Sequence, residues 1–168
     1  KLKILNIISG AKFGGAELFF ERLSLAFQKK KKIEQKIVFK TNKKRFNSLV
    51  KKIEDIEQIQ FFNRLNPFCS LKIEEIINNF NPNIILTWMN RASNLLPTKK
   101  IRNEVIVSRL GGFYKIKNYA KSDYLITNTL EIKEYVESLG WDSKKVEFIP
   151  NFVPQGEFLN KRGDHLKL

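Results

Sequence analysis

One cysteine and one histidine in 168 residues leave little for covalent or metal chemistry. A single thiol, Cys69, cannot build a disulfide framework, and with only His165 to join it there is no cluster of metal-ligand type. His165 lies in a polar tail, so a histidine-centred triad has no support. The apolar runs are far too short to span a bilayer, and no N-terminal stretch has the layout of a secretory signal. Acids are scarce against bases, 17 to 31, for a net charge of +14. These absences fit a chain of a reducing cytoplasm, for which no metal and no cofactor is expected.

What is present is a full-sized core. Apolar residues make up 42% of the chain, with 14 Phe, enough for one folded domain. The lysines are spread along the sequence apart from Lys29–Lys32, which reads as the solvated, cation-bearing end of a first helix. Such an excess suits nucleic acid, an anionic membrane surface or acidic substrates, and it equally suits biased base composition. Nucleic acid is the weakest of these, because the Phe residues fit buried strand and helix faces and not an exposed aromatic stripe.

The opening stretch, Leu2–Leu25, is the most organised. Ile4-Leu5-Asn6-Ile7-Ile8 has the composition of a strand buried on both faces. The loop Ser9–Gly15 follows, with glycines at 10, 14 and 15. Ala16, Phe19, Phe20, Leu23, Ala26 and Phe27 then recur at helical spacing, with Glu17, Glu21, Arg22 and Ser24 assigned to the opposite, polar face. Strand, glycine loop and helix start together form a place where backbone N–H groups can meet an anion. The spacing is not G-x-G-x-x-G, no acid closes the second strand, and Gly15-Ala16-Glu17 is not a Walker A ending. A tight turn explains the glycines equally well at this level.

The same alternation continues. Strands are expected at QKIVFK, Gln58–Phe62, Asn83–Thr87, Val105–Ser108, Tyr124–Thr127 and Val146–Ile149. Helical stripes are Phe46, Leu49, Val50, Ile53; then Ile73, Ile76, Ile77, Phe80, stopping before Asn81-Pro82; then Ile132, Tyr135, Val136, Leu139, with Gly140 suited to the position after the helix end. Asn128 is the expected N-cap of the last helix, with Glu131 completing a capping box. Leu95–Arg102 is expected to be a partly helical return. The pattern predicts an α/β, Rossmann-like three-layer sandwich, with a mostly parallel sheet of about seven strands and helices on both faces.

Ligands of such sheets sit at the carboxyl ends of the strands. There the sequence places Gly14-Gly15, Trp88-Met89-Asn90-Arg91, Arg109-Leu110-Gly111-Gly112 and Asn128-Thr129. Each is explicable as structure: core edge, surface ion pair, turn. Together on one edge they point to a pocket for something anionic and ring-shaped, such as a sugar.

At these residues a family resemblance becomes specific. ILNIISGAKFGGAELFFERL, NPNIILTWMNRASNLL and VSRLGGFYKIKNYAKSDYLITNTLEIKEYVESLGWDSKKVEFIPNFV resemble the N-terminal half of a bacterial family 4 glycosyltransferase of the two-domain GT-B fold. The likeness is to members that build lipopolysaccharide and other cell-envelope glycans, and it runs over most of residues 2–153. Many relatives carry His or Tyr-His where this chain has Asn90-Arg91.

The resemblance implies a retaining, hexosyltransferase-type transfer of a sugar from a nucleotide-sugar to a glycan or lipid-linked acceptor. Residues 1–150 correspond to the acceptor-side lobe and 151–168 to the start of an interdomain linker or tail. The nucleotide grip and the paired-glutamate motif belong to a C-terminal lobe absent from this chain, so no catalytic residue is expected here and the isolated chain is expected to be inactive. By the same likeness Gly14, Gly15 and Ala16 would face the donor phosphates. Trp88, Asn90, Arg91, Arg109, Gly111, Gly112, Tyr114, Lys115 and Asn128 would line the acceptor side. The location implied is the cytoplasm, with peripheral contact to an anionic membrane. A non-catalytic sugar- or nucleotide-binding module on the same lobe is the alternative.

Overall fold

A computed structural model describes residues 1–10, 14–60 and 67–152. The order is β1 (Leu2–Ile8), α1 (Gly15–Gln28), β2 (Ile33–Lys40), α2 (Lys43–Leu49), β3 (Ile56–Ile59), α3 (Pro67–Phe80), β4 (Ile84–Trp88) and α4 (Met89–Leu95). Then come β5 (Val105–Leu110), β6 (Tyr124–Thr127), α5 (Leu130–Ser138) and β7 (Val146–Phe148), with 3-10 turns at Ile116–Tyr119 and Ser143–Lys145. One seven-stranded sheet has the order β3-β2-β1-β4-β5-β6-β7, and every pairing is parallel. The strand order reverses direction between β1 and β4, which makes their carboxyl ends the switch point of the sheet.

Period-two alternation along β1 divides the core. Leu5 and Ile7 join Val38, Ile85 and Ile106 under α3 and α4, while Ile4 and Ile8 join Ile37, Phe39 and Leu86 under α1. Asn6 also takes the α1 side, fully buried. Its Nδ2 donates to Ser24 Oγ at 3.0 Å, and its Oδ1 accepts from Trp88 Nε1 at 2.6 Å. Satisfying both ends of the amide removes the cost of burying it and pins α1 to β1 and β4 together. Ser24, expected on the polar face of α1, is therefore buried by this bond. A third cluster, Leu110, Tyr119, Leu125, Ile132, Val136 and Val146, closes the far edge under α5.

Several boundaries differ from expectation, each for a pairing reason. The third strand is Ile56–Ile59, not Gln58–Phe62, because Ile56 is the residue that meets Ile37. Phe61 and Phe62 lie outside the described residues, as do Ala11–Phe13 of the glycine loop and residues 153–168. The helix after β4 starts at Met89, ahead of the Leu95–Arg102 stretch. The fifth strand runs on through Arg109 and Leu110, held by Trp88↔Arg109 on one side and Leu110↔Thr127 on the other. The N-cap of α5 is Thr129, not Asn128; its hydroxyl accepts from Ile132 N at 3.3 Å. Gly140 does end α5, at φ +90°.

Candidate functional site

The first turn of α1 stands at the switch point. The 5→1 ladder begins with Leu18 N donating to Gly14 O at 3.1 Å, so the N–H groups of Gly15 and Ala16 have no acceptor within the helix. The glycines around this turn have different jobs. A Cβ at Gly10 or Gly14 would collide with the carboxylate of Glu17, which is only 4% exposed, whereas a Cβ at Gly15 would meet nothing within 4 Å. Glu17, expected on a polar outer face, is thus folded back over the loop, and Gly10 and Gly14 make room for it. Of the glycine pair only Gly15 opens onto free space, and its φ is not in the left-handed region.

Across the switch point Trp88 ends β4, 1% exposed and oriented by its bond to Asn6. The chain then turns at Met89, with φ 64°, a left-handed value that costs a non-glycine residue about 1–2 kcal/mol. A buried hydroxyl cluster supports this corner: Thr87 Oγ1 lies 2.8 Å from Ser93 Oγ and 2.6 Å from Ser108 Oγ, and Ser93 Oγ donates to Met89 O at 3.2 Å. Asn90 and Arg91, expected at a loop tip, sit in α4, where Arg91 is exposed.

Arg109 comes from the end of β5 and is 5% exposed. Its guanidinium lies 4.6 Å from the centre of the Phe19 ring and 5.5 Å from that of Trp88. Nη2 donates to Ile149 O and to Asn151 Oδ1, both at 2.8 Å. Among the described residues no carboxylate pairs with it, and burial alone pulls the guanidinium down to about 10, still charged at neutral pH.

One cleft collects Gly15, Ala16, Trp88, Met89, Arg109, Leu110, Gly111, Asn128 and Asn151. Asn128 lines it, and its Oδ1 is shut off from solvent without a hydrogen-bond partner among the described residues. Six of the twelve residues singled out in the sequence therefore share this cleft, and six do not. Gly14 faces a second groove with Glu17, Glu21 and Arg45. Asn90 and Arg91 belong to α4. The Tyr114 ring covers Gly112, lying 3.4 Å from where its Cβ would be, and packs toward the third apolar cluster. Lys115 is exposed ahead of a 3-10 turn. Asn151 was missed: in sequence it reads as linker, and only its bond to Arg109 brings it in. No group of three or more metal-ligating side chains occurs among the described residues.

With this geometry in place, known proteins supply a comparison. Solved structures share the fold over nearly the whole chain. Anabaena HepE in complex with UDP and glucose superposes with a TM-score of 0.69 at 13% identity, covering 91% of this chain and 45% of that one. The lipopolysaccharide outer core galactosyltransferase WaaB gives 0.71 at 18%, covering 90% and 46%. The fold is that of a GT-B-like lobe. It is shared with UDP-GlcNAc 2-epimerase from Neisseria meningitidis bound to UDP-GlcNAc, TM-score 0.68 at 14% identity, covering 89% and 47%. In sequence the chain is 31% identical over 87 residues to the lipopolysaccharide core biosynthesis glycosyltransferase LpsE of Rhizobium meliloti (strain 1021). That stretch is 51% of this chain and 25% of LpsE, so the chain spans well under two thirds of the proteins it is similar to. No family model matches. Among the described residues no helix is long and apolar enough to cross a membrane.

Proposed function

We propose that this chain is the acceptor-side lobe of a retaining glycosyltransferase that moves a sugar from a nucleotide-sugar to a cell-envelope glycan or a lipid-linked acceptor. The observation that carries the reading is the cleft at the β1/β4 switch, where free N–H groups of α1, an aromatic wall and a buried arginine converge. The similarity to LpsE favours transfer over the epimerase chemistry that the same fold also hosts.

In this reading, breaking the bond between sugar and diphosphate builds negative charge on the leaving phosphate and positive charge on the anomeric carbon. The fixed N–H groups of Gly15 and Ala16 stabilise the first without reorganising. A partner lobe, closing over this edge, supplies the nucleotide grip, orients the acceptor hydroxyl and excludes water. The 168 residues alone then carry out no transfer.

The test is Gly15→Ala in the longer protein that joins this lobe to its partner. A methyl group there occupies the open space at the helix start, so sugar transfer is expected to fall at least tenfold while the protein melts as before. A variant that keeps full turnover sinks the reading. Lipid-linked acceptors further imply contact with the inner face of the cytoplasmic membrane. The net charge of +14 should then give salt-sensitive attachment to anionic vesicles, about 1 kcal/mol per lysine close to the surface. Equal pelleting with neutral and anionic lipid removes that part of the proposal.

A further inference from the structure

We propose that the cleft is an oxyanion site in which Arg109 supplies the counter-charge and Gly15 and Ala16 supply N–H donors. The inference rests on the cleft being the ligand face proposed above, and it defines the chemistry that the face takes: a sugar-like group bearing a phosphate or a carboxylate.

Arg109 carries the argument. It is 5% exposed, yet both of its hydrogen bonds, from Nη2, go to neutral oxygens, those of Ile149 and Asn151. Nε and Nη1 have no protein acceptor among the described residues. A cation taken out of water without a counter-charge costs several kcal/mol in principle, a cost that the two neutral acceptors and the two rings offset in part and an anion offsets further. The guanidinium fork suits a bidentate oxyanion, and the Phe19 and Trp88 rings hold its plane in place. Asn128 lines the same cleft. Arg91 and Lys115, the other cations of this edge, are exposed and outside it. Because Nη2 also holds Ile149 and Asn151, and Phe152 meets Phe19 edge-on at 4.8 Å, filling the cleft and seating the segment after β7 depend on one side chain.

The experiment is a titration of the 168-residue chain, at about 150 mM salt, where the Debye length is about 8 Å, with inorganic pyrophosphate, glucuronate and glucose, read by amide and arginine Nε–H resonances. Saturable shifts of Gly15, Ala16, Asn128 and Arg109 Nε with an anion, and none with glucose, are the expected result. Response to pyrophosphate alone assigns the site to a diphosphate, and to glucuronate alone to an acidic sugar. Arg109→Gln should weaken the anion at least tenfold and Lys29→Gln by less than twofold. An anion that leaves Arg109 Nε unshifted in the wild type overturns the proposal without needing any variant to fold, and so does undiminished binding by Arg109→Gln. UDP-glucose run in parallel separates the two readings. If it shifts Gly15 and Ala16 equally in wild type and Arg109→Gln, the arginine site falls and the transferase reading stands. Anion binding at Arg109 in a protein whose longer form transfers no sugar gives the reverse.

Discussion

Arg45 and Arg109 are buried to the same depth, 4% and 5% exposed, on opposite sides of β1. Both lie against aromatic rings, Arg45 at 5.8 Å from the Phe39 centroid and Arg109 at 4.6 Å from that of Phe19. Their electrostatics differ. Arg45 Nε donates to Glu21 Oε1 at 2.9 Å, and Ser48 and Asn42 bind the backbone beside it, so this groove satisfies itself. Arg109 has only neutral acceptors. The helix start of α1 lies between the two, turning Gly14 toward the first and Gly15 toward the second. Burial of a charge is therefore not the mark of a site. What sets Arg109 apart is burial without a counter-charge among the described residues, beside unfilled space.

The comparison can be broken by removing the acid from the closed side. Glu21→Ala removes the carboxylate that Arg45 Nε binds, in a groove that Glu17 also lines. Since Glu21 is itself 25% exposed, the loss should lie at the lower end for a broken buried pair, about 3 kcal/mol. Arg109→Gln removes a charge that nothing among the described residues neutralises, but also two hydrogen bonds and two ring contacts, so the opposing effects should leave stability within about 1 kcal/mol of the wild type. Urea unfolding of both variants decides. A larger loss for Arg109→Gln than for Glu21→Ala would make Arg109 the structural residue and the comparison false.

A smaller effect sharpens the contrast at the glycine pair. Gly14→Ala presses a methyl group into the Glu17 carboxylate and should cost about 1–3 kcal/mol, the range for overpacking. Gly15→Ala meets no atom and keeps an allowed φ, so its melting should be unchanged or rise by the equivalent of about 0.4–1 kcal/mol. Equal thermal shifts for the two variants would show that the pair is one turn and not a boundary between two clefts.

Much of the architecture was readable before any coordinates. Period-two and helical stripes located all seven strands and most helices, because one buried face imposes its spacing on the sequence. Errors gathered at ends. Arg109 was assigned to a loop because polarity looks like the end of a strand, yet its neighbours Trp88 and Ile126 extend the ladder through it. Asn128 and Thr129 are both good caps, and only the geometry of Ile132 N chooses between them. Glu17 and Ser24 looked solvent-facing because helical periodicity records polarity, while Gly10, Gly14 and Asn6 decide what is buried.

The class of fold and the edge on which the cleft lies follow from strand–helix alternation and from what stands after each strand. Tertiary structure decided which residues meet. Phe19, Trp88, Ile149 and Asn151 surround Arg109 from four distant segments, and no local pattern records that convergence. The same holds for the missing counter-ion: packing keeps every acid among the described residues out of reach of one buried guanidinium.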